Sequence, residues 1–240
     1  MKNKLTLVSL LLSMMACKNE NHEHKTSEIL NKAEVVEIDS VPGEKGRYVI
    51  TEEIFWVIQE EPENHFDEAK EKFIGKELKA AGNEIQKAST YLDLEINKSE
   101  GTEKLKLRSA KDKLAALATR LNKGEKVTET EIKQSFYLAN VALYKSYIRQ
   151  HDNIQNSFAS ENTKIGMYLD AALQKVENSK KWSDNKLEDK YENILSEGKE
   201  LSKRLKTDLK NDEKEASKEW KVFKEKLKAL DERLEGNTNL

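Results

Sequence analysis

The chain has 240 residues, of which 37% are hydrophobic and 36% are charged, and its formal net charge is -2. A mean hydropathy of -0.82 is too low for a thick globular core. It suits slender helices, in which only about two or three positions in seven need to be apolar. The slightly acidic balance lacks the dense basic face that nucleic acids require, so we expect no nucleic-acid partner.

The first residues have the layout of a secretory signal peptide. Two lysines precede an apolar run from Leu5 to Met15, and a small residue, Ala16, precedes the single cysteine, Cys17. This run is shorter than the ~20 residues that cross a bilayer as a helix. The segment ending at Cys17, Met-Met-Ala-Cys, resembles the lipobox of bacterial lipoproteins. This resemblance implies that residues 1–16 are removed and that Cys17 is lipidated. It also implies that the protein is exported and anchored by its lipid in the cell envelope, and we expect the membrane to be the outer membrane.

Residues 17–34 are rich in Asn, Glu, Lys and His and poor in apolar side chains. They cannot bury enough surface to offset their conformational entropy, so we predict a flexible tether. The tether contains His22 and His24, an alternating pair that offers a weak alternative site for Zn or Cu. Since no further ligand is fixed beside them, we prefer the interpretation of a solvated tail.

Residues 35–61 have the only strand character in the chain. Two β-rich runs flank Pro42-Gly43, which predicts a short β-hairpin or an extended strap. Thr51 then precedes several large apolar residues, and this pattern predicts a short capped helix that stops before Pro62.

Residues 62–236 contain no proline after Pro62, and their apolar residues recur at helical spacing. The fold class that we predict is all-α, an elongated up-and-down helical bundle of about five to six helices. The first long helix is expected from Glu63 to about Asn97. The second is expected to be capped by Thr102 and closed by Gly124.

The longest apolar seam runs from Glu131 to Lys181 and is expected to organise the bundle. Thr128 and Glu131 form a capping-box pattern at its start. The seam is least apolar around Ser160–Thr163, where we expect a break that divides it into two helices. A final helical region is expected from Ser183 to Gly236, with a bend at the charged segment Lys210–Lys214.

The most distinctive polar group on the central seam is formed by Tyr144, Tyr147 and His151. Their spacing of three and four places them on one side of a helix. One interpretation is a ligand pocket, or a haem site with His151 as ligand and Met167 as a distant candidate. The preferred interpretation is that the tyrosines fill the core while their polar atoms reach partners at its edge.

The sequence contains no motif typical of a metallohydrolase, a nucleophilic hydrolase, a phosphate loop or a dinucleotide site. Paired Glu-x-x-His motifs, typical of carboxylate-bridged metal bundles, are also absent. Short segments near Tyr91, Tyr168 and Trp182 resemble helical envelope proteins without an assigned activity, which bears on the fold alone. We therefore predict a non-enzymatic protein-interaction or structural module that needs no cofactor and has a membrane and a protein partner. The alternative is a carrier of a small ligand, haem or metal on the central helix.

Overall fold

The structure is a computed structural model that describes residues 52–150, 161–183 and 189–236. The predicted signal peptide, the predicted lipidation site Cys17, the predicted tether with His22 and His24, and residues 35–51 of the predicted β-rich segment lie outside these ranges. The described residues form seven α-helices and no strand, which confirms the all-α class and exceeds the predicted helix number. The helices are α1 Glu52–Ile74, α2 Leu78–Lys98, α3 Gly101–Asn122, α4 Glu129–Gln150, α5 Glu161–Trp182, α6 Asp189–Lys206 and α7 Glu213–Gly236.

From α2 onward, consecutive helices pack in antiparallel pairs. Between α6 and α7, for example, Arg204 pairs with Glu219 at 2.6 Å, while Glu197, earlier in α6, pairs with Lys226, later in α7. The same crossing order joins α3 to α4 and α5 to α6. In α2 and α3, Asp93 pairs with Lys111 while Gly82, earlier in α2, lies against Ala118, later in α3. The up-and-down arrangement follows from the short connections and from apolar stripes on facing sides.

Helix α1 passes through Pro62, so the predicted stop before this residue is wrong. A proline inside a helix removes one backbone hydrogen bond and crowds the preceding turn. In the same turn, the ammonium of Lys175 donates a hydrogen bond of 2.5 Å to the carbonyl oxygen of Gln59. Proline at position 62 deprives the carbonyl of residue 58 of its N–H partner, and Lys175 binds the next carbonyl along, so a group from another helix supports the backbone beside the proline.

The expected single helix from Glu63 to Asn97 is also wrong, because the chain turns at residues 75–77. Lys76 has a φ of 62°, and the N–H of Glu77 donates to the carbonyl of Lys72 at 2.9 Å, which closes the end of α1. The apolar series contains a trace of this break, since Phe73 and Leu78 are five residues apart instead of three or four.

Of the caps predicted at the two ends of α3 and at the start of α4, two are confirmed and one is wrong. Thr128 and Glu131 exchange hydrogen bonds in a capping box, and Gly124, with a φ of 71°, follows the end of α3. Thr102 is not the cap of α3, because the helix begins at Gly101 and Glu100 occupies the N-cap without a side-chain bond. The φ of 55° at Gly101 turns the chain into the helix two residues earlier than expected.

The central seam consists of two helices, α4 and α5, and α5 begins within the segment where a break was predicted. Aromatic contacts between Phe136 and Trp182 and between Tyr147 and Tyr168 show that the two helices run antiparallel against each other. The charged bend is confirmed at residues 207–212, slightly earlier than predicted. The predicted core residues of α7 are all buried: Ala216, Trp220, Phe223, Leu227, Leu230 and Leu234.

Candidate metal centre

The residues that the sequence singled out are only partly within the described ranges. His151 lies outside them, as do Cys17, His22 and His24. Tyr144 and Tyr147 are both buried on α4, but they approach different helices.

The phenol of Tyr144 lies near Asp231 of α7, whereas the ring of Tyr147 lies 6.3 Å from that of Tyr168 on α5. Burial raises the pKa of both tyrosines well above the ordinary value. The nearby Asp231 adds to this effect at Tyr144, and Glu95 and Tyr168 add to it at Tyr147. Met167 is buried on α5. A ligand role for this group stays a prediction.

A different group of side chains converges between α1 and α2. His65, Glu68 and Glu84 each present a potential metal-ligand atom, and these atoms lie within 4.8 Å of one another. Nδ1 of His65 is 2.8 Å from Oε2 of Glu84, and Nε2 of His65 is 3.8 Å from Oε2 of Glu61. All three members of the cluster are half-buried. An imidazole is therefore surrounded by carboxylates from two helices.

Helical spacing explains this convergence. Glu61, His65 and Glu68 follow one another by four and three residues, so they lie on one face of α1. Glu84 and Tyr91 are seven residues apart and lie on the facing side of α2. The ring of Tyr91 is 5.8 Å from that of His65, centroid to centroid, and covers one side of the imidazole. The turn at residues 75–77 brings the two faces together.

Electrostatics keep the carboxylate of Glu84 ionised. Burial raises the pKa of Glu84, but hydrogen bonds from His65 and Lys87 outweigh this effect and lower it to about 2. Burial and the nearby Glu61 raise the pKa of Tyr91 to about 12, so its phenol keeps its proton at neutral pH. The carboxylate of Glu84 is thus deprotonated at neutral pH, which is the state in which it binds a metal.

The opposite face of α1 is fixed by a buried carboxylate, Glu63. Its Oε1 accepts hydrogen bonds from Nε1 of Trp182 at 3.0 Å and from Nζ of Lys181 at 3.3 Å, and its Oε2 accepts one from Asn140 at 3.1 Å. The ring of Phe66, one turn along, stacks on Phe136 with centroids 4.2 Å apart. These contacts hold α1 against α4 and α5, so His65 and Glu68 face α2.

This cluster was not predicted from the sequence, because the motif expected of a metal site in a helical bundle was a pair of Glu-x-x-His segments. The chain carries the reverse order, His65-x-x-Glu68, with Glu61 one turn earlier. The three residues of α1 could therefore have been recognised from their spacing in the sequence. Glu84 is 19 residues from His65, and only the turn between the helices brings the two together.

Comparison of the chain with models of protein families, with curated proteins and with solved structures finds no match. Among the described residues, no helix is both long enough and apolar enough to cross a membrane. Function has to be argued from the chain's own residues.

Proposed function

We propose that this chain is a non-enzymatic, lipid-anchored helical protein that binds a divalent transition-metal ion between α1 and α2. The observation that carries the proposal is the convergence of His65, Glu68 and Glu84 at ligand distance from one another. The proposal includes a membrane anchor at Cys17, and only the lipobox resemblance supports this part of it. A carrier of a small ligand, haem or metal was the alternative that the sequence left open. The site proposed here lies between α1 and α2 instead of on the central helix.

The ligand set favours a first-row transition metal such as Zn²⁺. Zinc binds imidazole nitrogen and carboxylate oxygen at about 2.0–2.2 Å, commonly in a tetrahedron. Ligand atoms in such a tetrahedron are about 3.3 Å apart, a value that lies between the 2.8 Å from Nδ1 of His65 to Oε2 of Glu84 and the 4.8 Å within which all the ligand atoms of the cluster lie. Hard cations such as Mg²⁺ and Ca²⁺ prefer all-oxygen shells, and the imidazole therefore discriminates against them.

The surroundings of His65 fit a metal ligand. A ligating histidine commonly donates its second ring N–H to a carboxylate, which fixes the ring and raises its basicity. When Nδ1 binds the ion together with Glu84, Nε2 faces the carboxylate of Glu61, 3.8 Å away in this structure. Three protein ligands leave a fourth position for water or for a ligand supplied by a receiving molecule. A receiving molecule can approach the ion at this position, as transfer from a carrier requires.

The test is a calorimetric titration of the purified full-length protein with Zn²⁺, carried out in a His22→Ala/His24→Ala background that removes the tail histidines. We expect one ion per chain, and we expect His65→Gln, Glu68→Gln and Glu84→Gln each to weaken binding by about tenfold or more. Glu71→Gln is the matched control, because this exposed residue makes the same charge change one turn beyond Glu68. Equal affinities of Glu84→Gln and Glu71→Gln would contradict the proposal.

A substitution at Lys87 is expected to strengthen Zn²⁺ binding instead of weakening it. The ammonium of Lys87 pairs with Oε1 of Glu84 at 3.0 Å and so competes with a cation for that carboxylate. We expect Lys87→Gln to increase Zn²⁺ affinity by a small factor, because exposed ion pairs contribute about 0.2–1 kcal/mol. Removal of a merely structural ion pair would leave the affinity unchanged.

Binding of a protein partner also stays a prediction. Among the described residues, the large apolar side chains that are exposed lie on four different helices: Ile74, Leu94, Leu105 and Val222. Single exposed apolar residues are ordinary on soluble helices. They do not favour this role over metal binding.

A further inference from the structure

A second polar site lies away from the metal cluster, between α3, α4 and the end of α7. It is a cleft of about 340 Å³, a volume at the small end of the range for ligand pockets. Three lysines line it: Lys106 and Lys113 from α3 and Lys145 from α4. The carboxylate of Glu235, at the end of α7, also lines the cleft. Positive charge thus gathers in a chain whose overall charge is slightly negative.

The cleft already holds a carboxylate. Oε1 of Glu235 accepts a hydrogen bond from Nζ of Lys106 at 2.7 Å and another from Nζ of Lys145. These two bonds lower the pKa of Glu235 to about 2. Lys145 is only 10% exposed, whereas Glu235 is 50% exposed. A buried cation is therefore bound by a solvent-facing carboxylate on the second-last residue of a helix, which a competing anion can replace without opening the core.

The charges in and around the cleft leave an excess of one positive unit. Three ammonium groups face two carboxylates, those of Glu235 and of the neighbouring Asp231. Glu103 also lies near Lys106, but it is paired with Arg149 at 3.4 Å. Lys113 has no carboxylate partner within the described ranges. The pair Lys106 and Lys145 already binds a carboxylate, which favours a carboxylate ligand at this position.

The floor of the cleft is apolar. Ala110, Val141 and Ala142 line it, and each exposes only a small part of its surface to the cleft. A ligand whose anionic oxygen binds between the ammonium groups of Lys106 and Lys145 can therefore place a hydrocarbon segment against these apolar residues. The side chain of Glu235, a carboxylate on a short aliphatic stem, provides an intramolecular example of this chemistry.

We infer that the cleft binds the carboxylate head of a medium-chain fatty acid, which takes the place of the Glu235 carboxylate between Lys106 and Lys145 and lays its tail on Ala110, Val141 and Ala142. The Glu235 side chain then acts as an intramolecular competitor that the ligand displaces. This site shares no residue with the metal cluster, so either one can fail without the other.

The probe is octanoate, titrated into the purified full-length protein by calorimetry. We expect measurable binding to the wild type and a gain of about 2- to 5-fold in Glu235→Gln, the factor that corresponds to loss of an exposed competing ion pair. Lys145→Met should weaken binding by about tenfold or more, because a hydrogen bond to a charged group is lost. Lys218→Met removes an exposed lysine elsewhere on α7 and should change nothing.

Three further ligands separate the contributions of head and tail. Octanol supplies the tail without the charge, acetate supplies the charge without the tail, and inorganic phosphate supplies a different anion. We expect octanoate to bind more tightly than all three. Absence of octanoate binding, equal binding of octanol, or tighter binding of phosphate would overturn the inference. Circular dichroism confirms that each variant is folded, and Lys106→Met, at a more exposed position, replaces Lys145→Met if that variant is unfolded.

Discussion

The ammonium of Lys175, on α5, donates a hydrogen bond to the backbone carbonyl of Gln59, on α1, and the lysine is fully buried. This contact joins the two helices in the turn that contains Pro62. Burial lowers the pKa of Lys175 to about 8, although the nearby Glu63 and Glu95 act in the opposite direction. The protein thus keeps an ionisable amine in its core to bind a helix that a proline disturbs.

The first prediction concerns pH. In the unfolded chain, Lys175 keeps its proton up to its ordinary pKa of 10.5, whereas in the folded chain it releases it near 8. Between these values the folded state binds fewer protons, so its contribution to stability rises with pH. From pH 7.5 to 9.5 we expect the free energy of unfolding to increase by up to about 2 kcal/mol, measured by urea denaturation.

The variant Lys175→Met provides the control for this pH dependence. It lacks the titrating amine, so we expect its free energy of unfolding to be nearly flat over the same pH range. An equal rise in the wild type and in this variant would assign the effect to other groups and contradict the prediction.

The second prediction concerns a close helix crossing. A Cβ atom at Gly166 would lie 2.8 Å from the carbonyl oxygen of Ser202 and 2.9 Å from Cγ of Lys206, so α5 and α6 would have to separate. Alanine favours a helix by about 1 kcal/mol over glycine, but the backbone oxygen cannot move alone. We expect Gly166→Ala to destabilise the protein by about 1–3 kcal/mol in urea melts.

The matched substitution is Gly236→Ala at the end of α7, where no atom lies within 4 Å of the added methyl group. We expect its effect to stay within about 0.5 kcal/mol. If the two alanine variants had equal stabilities, the crossing at Gly166 would not be tight in solution.

The third prediction concerns the membrane anchor, which rests on the sequence. Cys17→Ser removes the only thiol in the chain. We expect this change to abolish labelling by a fatty-acid probe and to move the protein from the membrane fraction to the soluble fraction, because stable anchoring needs covalent lipid chains. Unchanged labelling would exclude Cys17 as the lipidation site.

The parts of the fold that could be predicted depend on local, repeated signals. The stripe that contains Trp220, Phe223 and Leu227 continues over several turns, so its burial followed from spacing alone. The path of α1 through Pro62 could not be predicted, since the group that binds this turn, Lys175, lies more than a hundred residues away.

The candidate metal site shows the same limit. Glu61, His65 and Glu68 share one helical face, and this was visible in the sequence. They lie close to Glu84 only because the chain turns after Ile74. The sequence indicates this turn only by the irregular spacing of five residues between Phe73 and Leu78. Sequence patterns describe the faces of helices, whereas a site between helices also needs the geometry of the turn that joins them.

The most direct measurement of the central claim is zinc K-edge X-ray absorption on full-length protein loaded with one equivalent of Zn²⁺ in the His22→Ala/His24→Ala background. We expect a shell of nitrogen and oxygen ligands at about 2.0–2.2 Å with the outer-shell scattering of one imidazole, and we expect that scattering to disappear in His65→Gln. An identical spectrum for the His65→Gln variant, or a shell without imidazole scattering in the parent protein, would contradict metal binding between α1 and α2.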